Sequence, residues 1–190
     1  MESYWRDGVH ALGLNEICRR TGIAKPVLYR EFGGEDGLMT EALDKYWKEV
    51  GGALSELMSE ERPFPVVLAE LVRWFTEDRG KPVGCLFARM RSSPSRLGPM
   101  TTKRVESVRE ELRSALEAWY ERGKSRGQVN TAIASTLAAT FLDTQLTTAV
   151  LQMMLGESPD VIRAQAALAF QGLMPTASVR VRTVSAVTTT

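Results

Sequence analysis

With 190 residues, 44% of them hydrophobic and 25% charged, the chain has the composition of a folded protein, long enough for one sizeable unit or two small ones. Lysine and arginine number 24 against 23 acidic residues, and a net charge of +1 excludes a protein that coats nucleic acid by bulk charge alone. Two cysteines, Cys18 and Cys85, make no disulfide framework, and a single histidine, His10, excludes any site that needs several imidazoles.

The opening Met1-Glu2-Ser3-Tyr4-Trp5-Arg6-Asp7 has no basic head followed by an apolar run, so no signal peptide is expected and the expected location is cytoplasmic. Gly13 starts a predicted helix over 14–20, which Thr21-Gly22 stops. A second short helix, 25–32, ends at Gly33-Gly34. A longer one follows from Glu35, with Met39, Leu43, Tyr46, Val50 and Leu54 along one face and Glu35 and Asp36 in its first turn. After a break at Pro63-Phe64-Pro65, helices are predicted over 66–78 and 85–91, with a turn at 79–84 between them. Thr101 to Arg126 reads as a long amphipathic helix, closed by Gly127. Asn130 or Thr131 is expected to cap the next helix, over 131–155. That stretch is the most apolar in the chain, but its Ser, Thr and Gln residues and Asp143 make it a buried helix rather than a membrane span. Ser158-Pro159 opens a last helix over 159–173, and the tail 176–190 has no core to join and is expected to be disordered.

Strand-like alternation is almost absent, so the fold class is all-α: a bundle of helices with short connections. The informative window is 13–32. Physically it is two short helices around a tight Thr-Gly turn, with Ile17, Ile23, Leu28 and Phe32 placed to pack between them. Lys25, Val27, Tyr29 and Arg30 are left on the open side of the second helix, and Pro26 suits its first turn. A short helix with exposed Lys, Tyr and Arg fits the DNA major groove. Charge placement agrees. Residues 1–50 hold 7 basic and 9 acidic side chains, whereas 14–32 hold 4 basic and 2 acidic.

The run from Tyr4 through Leu38, including "NEICRRTGIAKPVLYREFGGEDGL", resembles the TetR family of bacterial transcriptional regulators. Ile17, Gly22, Ile23, Leu28, Tyr29, Phe32 and Leu38 fall into the family's register without a gap. The resemblance implies a three-helix helix-turn-helix domain over 1–45, with Lys25, Pro26, Val27, Tyr29, Arg30, Gly13 and Asn15 as DNA-binding residues. It further implies a variable ligand-binding and dimerisation domain over 46–175. Three positions depart from the family line. The opening helix is cut to about 2–7, Leu12-Gly13 stands where a phosphate-touching Thr/Ser pair is usual, and Glu35 stands where a phosphate-facing Lys is usual.

In the second half, Trp74, Phe87, Met90, Trp119 and Phe141 are either core or the lining of a ligand cavity, with Arg89, Arg91 and Asp143 as possible polar partners of a ligand. The helices over 131–155 and 159–173 are apolar on more than one face and rich in Ala, which suggests a homodimer interface of two helices from each copy. The carboxylate pairs Glu60-Glu61 and Glu110-Glu111 point to different helix faces and make no acid–base dyad, so no enzyme activity, cofactor or metal is expected. The expected function is a ligand-responsive DNA-binding regulator, a repressor that binds a palindromic double-stranded operator as a homodimer and responds to a small apolar or amphipathic ligand. The alternative is a TetR-like binding module with weak or lost DNA binding.

Overall fold

The structure is a computed structural model that describes residues 1–59, 61–77, 82 and 84–175. Glu60, most of the turn expected at 79–84 and the tail 176–190 lie outside the described residues. Among the described residues all regular structure is helical, in the order α1 (Glu2–Asp7), α2 (Leu14–Thr21), α3 (Lys25–Phe32), α4 (Glu35–Ser59), α5 (Phe64–Thr76), α6 (Leu86–Arg91), α7 (Pro99–Ser125), α8 (Ser135–Met154) and α9 (Pro159–Phe170). A single 3₁₀ turn precedes α7 and another follows α9. Helices α1–α3 form a small head, and the long α4 carries the chain from it into the bundle. Residue 45, the expected domain boundary, lies in the middle of that helix.

Glycine punctuation works as expected at the head. Gly22 and Gly33 close α2 and α3 in the left-handed conformation, at φ 70° and 71°, and return their amides to Cys18 and Tyr29. Proline reads differently from expectation. Pro63-Phe64-Pro65 does not break the chain before α5 but caps and opens it, so the helix begins at Phe64 rather than Val66. The first turn of a helix has spare amides, so a missing N–H there costs little. Pro99 does the same for α7, which starts two residues before the expected Thr101.

The helix expected over 131–155 occupies Ser135–Met154 instead. Asn130 is spent elsewhere: its side chain accepts from the Ala132 amide at 3.0 Å, its carbonyl accepts from the Tyr120 hydroxyl, and its amide donates to Leu173. Residues 130–134 are thus a pinned turn rather than helix. The helix expected over 159–173 likewise becomes α9 to Phe170, followed by the 3₁₀ turn Gln171–Leu173.

Helix α7 packs along both α4 and α8, and it runs in the direction of α4, since contacts join their N-terminal ends through Asp36 and their C-terminal ends through Met58. The seam between α4 and α7 is polar on its outer edge. Arg104 pairs with Asp44 and, at 2.6 Å, with Glu111, which also accepts from the Trp47 indole at 2.6 Å. At the far end Arg122 donates to the carbonyl of Met58 in the last turn of α4. At the near end Asp36 of α4 caps α7, accepting from the amides of Met100 at 2.9 Å and Thr101 at 3.0 Å and lying 2.6 Å from the buried Thr101 hydroxyl.

Burial pushes the Asp36 carboxyl up, but the Thr101 hydroxyl and the two amides outweigh it and hold the group below its ordinary range. Asp36→Ala is expected to cost about 1–2 kcal/mol in urea unfolding, the worth of a lost N-cap. A folded-state pKa below the unfolded one makes that stabilisation complete above the ordinary Asp value of about 4 and lost as pH falls through the lowered value. The stability gap between the two proteins is therefore expected to close in acid.

Candidate nucleic-acid interface

The head presents α3. Ile17 and Leu28 are buried between α2 and α3, and Phe32 is half-buried, as expected. Ile23 is not part of that core. It is 40% exposed, because the left-handed Gly22 turns the chain outward and the side chain stands at the open entrance to α3. Lys25, Pro26 and Arg30 are exposed, Val27 is half-buried and Tyr29 is 52% exposed. The Tyr29 ring lies against Gly34, where an added Cβ would meet it at 3.3 Å and where φ is 123°. The glycine therefore gives the ring its seat.

At the start of α2, Gly13 is the N-cap and Asn15 is exposed. Glu35 reaches the same place. Its carboxylate lies 3.4 Å from the Leu14 amide and 4.0 Å from the Arg96 guanidinium, so a negative group sits at the N-terminus of α2.

The basic surplus of the two-helix unit is largely paired. Arg19 and Arg20 both hold Glu16, at 2.6 Å each, and Arg20 also reaches Asp7 of α1. Hydrogen bonds from Arg19 and then Arg20 pull the Glu16 carboxyl down to about 2. Arg30 lies 2.8 Å from Glu31. Among the described residues Lys25 has no ion pair. The spacing of Glu16, Arg19 and Arg20 was enough to foresee their pairing on one helix face. Asp7 sits on another helix and was not foreseeable.

The five bundle residues expected to line a ligand cavity have different surroundings. Met90 and Trp119 are buried in the core, with Trp119 stacked on Phe64 at 4.0 Å. Trp74 is half-buried beside Phe75, and Phe141 packs edge-on to Phe170. Phe87 borders a chamber, which at about 30 Å³ has room for about one water. Asp143 and Thr147 border it too. Asp143 is 1% exposed and takes Arg91 at 2.9 Å and Arg113 at 3.0 Å, so both Arg91 and Asp143 are engaged within the protein. Arg89 is half-buried on α6, and Arg113 was missed because nothing in its local sequence marks it. Cys85 is a packing residue at the start of α6: burial pushes its thiol up, and the Tyr46 hydroxyl donates to it at 2.9 Å.

A three-helix head with a left-handed glycine turn between its second and third helices, carried by a long helix into a helical bundle, defines the class of helix-turn-helix proteins with an all-α C-terminal unit. Residues 1–42 match the family model described as bacterial regulatory proteins, tetR family. The fold of the chain is also similar to those of solved structures. It resembles the regulatory protein TetR from Rhodobacter sphaeroides with a TM-score of 0.79 at 14% identity, covering 91% of this chain and 94% of that one. It resembles the reduced form of E. coli NemR with a TM-score of 0.76 at 18% identity, covering 90% and 91%. A cysteine mutant of the TetR family regulator CifR, in complex with 26-bp double-strand operator DNA, gives 0.76 at 20% identity over 90% and 91%. The HTH-type transcriptional repressor ComR of Escherichia coli (strain K12) is 30% identical over 90 residues, 45% of this chain and 42% of ComR, so the match spans less than half of either protein. Among the described residues no helix is long and apolar enough to cross a membrane.

Proposed function

We propose that the chain is a cytoplasmic DNA-binding transcriptional regulator of repressor sign, which reads a palindromic operator as a homodimer and answers to a small ligand bound by its C-terminal bundle. The observation that carries the DNA reading is the open side of α3. Lys25, Tyr29 and Arg30 project from a helix set between two glycine turns, in the segment that matches the family. Such a helix enters a major groove, where Lys and Arg contact guanine edges or phosphates. Gly13, Asn15, Pro26 and Val27 line the approach. The family description and the operator DNA held by CifR support the same reading.

The dimer is supported by α8 and α9. From 131 to 156 the only charged residue is the buried Asp143; Leu137, Thr140, Thr144, Thr148 and Leu155 form an exposed uncharged stripe, and α9 adds the exposed Val161 and Leu168. A helix face with no charge over that length is suited to a two-fold partner. Glu35 at the N-terminus of α2 and the paired arginines favour the second reading, a module whose DNA binding is weak.

Selection of a duplex from a random library at low salt, followed by anisotropy titration, tests the first reading. Lys25→Ala and Tyr29→Ala are each expected to weaken binding about tenfold without altering the dimer. Unchanged affinity in both would show that α3 is not the reading helix. Glu16→Gln is expected to act the other way. It releases Arg19 and Arg20, so affinity should rise and the salt slope steepen by about one for each phosphate gained per dimer. A flat response would mean that neither arginine faces the duplex.

A further inference from the structure

Between α5 and α9 runs a groove of about 330 Å³, in the size range of small-molecule sites. Leu68 and Val72 of α5 and Phe170 of α9 form its apolar walls, and the small Ala167 leaves the space above them open. Two guanidiniums reach it, Arg73 from α5 and Arg163 from α9, and among the described residues no carboxylate lines it. Arg163 is held across the groove by a 3.3 Å bond to the buried hydroxyl of Thr76. Its other arm meets Asp160 at 2.6 Å, while Arg73 meets Glu77 at 2.9 Å. Both acidic partners lie on the solvent side, with 90% and 46% of their side chains exposed. Exposed pairs of this kind are weak and screened by solvent, so either arginine can turn to another anion at little cost.

An apolar trough with two cations and no acid is complementary to one chemistry. We propose that this groove binds an amphipathic anion, an apolar chain or ring system bearing a single carboxylate, with the tail against Leu68, Val72 and Phe170 and the head on Arg73 and Arg163. A second copy of the chain fits it less well. The uncharged face of α9, Val161 and Leu168, is displaced from the Arg163–Ala167 face by about a third of a turn, so two-fold packing on that stripe leaves the groove open. The inference deepens the ligand-binding reading of the bundle and rests on it for any effect on DNA, but the binding itself is measured without DNA.

Calorimetric titration of the full chain with decanoate, kept below its micelle-forming concentration, tests it. One saturable site per chain is expected. Ala167→Trp, which fills the trough, should abolish binding, and Arg163→Gln should weaken it about tenfold, the worth of a charged hydrogen bond. Decyltrimethylammonium, with the same tail and the opposite charge, should not bind. Circular dichroism of both variants should match the parent. No saturable decanoate binding, equal binding of the cationic probe, or decanoate affinity unchanged by Ala167→Trp would each overturn the proposal. Failure here leaves the duplex titration untouched, and failure of that titration leaves this result standing.

Discussion

Gly37→Ala is expected to lower stability by about 3 kcal/mol, the upper end for overpacking, and to remove DNA binding with it. Intrinsic propensity predicts the opposite sign, since Ala in a helix is favoured over Gly by about 1 kcal/mol. Close approach decides. A Cβ on Gly37, in the first turn of α4, would fall on the carbonyl oxygen of Phe32, the last residue of α3. The obstacle is backbone and cannot turn aside as a side chain would. Relief requires α3 to move away from α4, and α3 is the element that carries Lys25, Tyr29 and Arg30. Gly52→Ala is the control. It lies in the same helix with nothing within 4 Å of its added Cβ, so it should stabilise by about 0.5–1 kcal/mol. Urea unfolding of the two variants side by side checks the account, and equal shifts would contradict it.

Asp143→Asn is expected to cost about 3 kcal/mol, because it removes the charge between two guanidiniums while keeping the side-chain volume. Asp143 is 1% exposed and joins Arg91, in the last turn of α6, to Arg113 of α7 from its own place on α8. Arg91 also stands over the Phe87 ring at 5.3 Å and donates to Thr147, so losing the carboxylate loosens three helices at once. The arginines keep 22% and 31% of their side chains in solvent, which places the cost at the low end for a broken buried pair. A loss under 1 kcal/mol in thermal or urea unfolding would mean that water replaces the carboxylate.

What could be read from the sequence was local. The bounds of α3, the glycine stops after α2 and α3, and the acidic first turn of α4 all depend on residues within one helical turn of each other. What could not be read depends on distant partners. Ile23 has the residue type of a core position, and only the direction of the chain after Gly22 exposes it. The cap of α7 comes from Asp36, 64 residues from the Met100 amide, and no local signal marks it. Asn130 has the side chain of a helix cap, but contacts with Tyr120 and Leu173 hold it in a turn. Trp74, Phe87, Met90, Trp119 and Phe141 have the chemistry of a ligand pocket, yet their residue types say nothing of whether neighbouring side chains fill the space between them. The open groove is lined by unremarkable residues such as Leu68, Ala167 and Arg163, brought together by the packing of α5 on α9.

The net charge of +1 also reads differently once the pairs are known. Most of the surplus in the two-helix unit is held by Glu16, Glu31 and Asp7, and Lys25 of α3 has no ion pair among the described residues. A reading head built this way has few phosphate anchors. The most direct test of the proposed DNA-binding dimer is the salt dependence of its binding to the selected duplex. Two heads that each offer Lys25 and Arg30 should give a slope of log affinity against log salt of about −2 to −4. No binding at low salt with the dimer intact, or a slope of about −8 or steeper, would contradict the account.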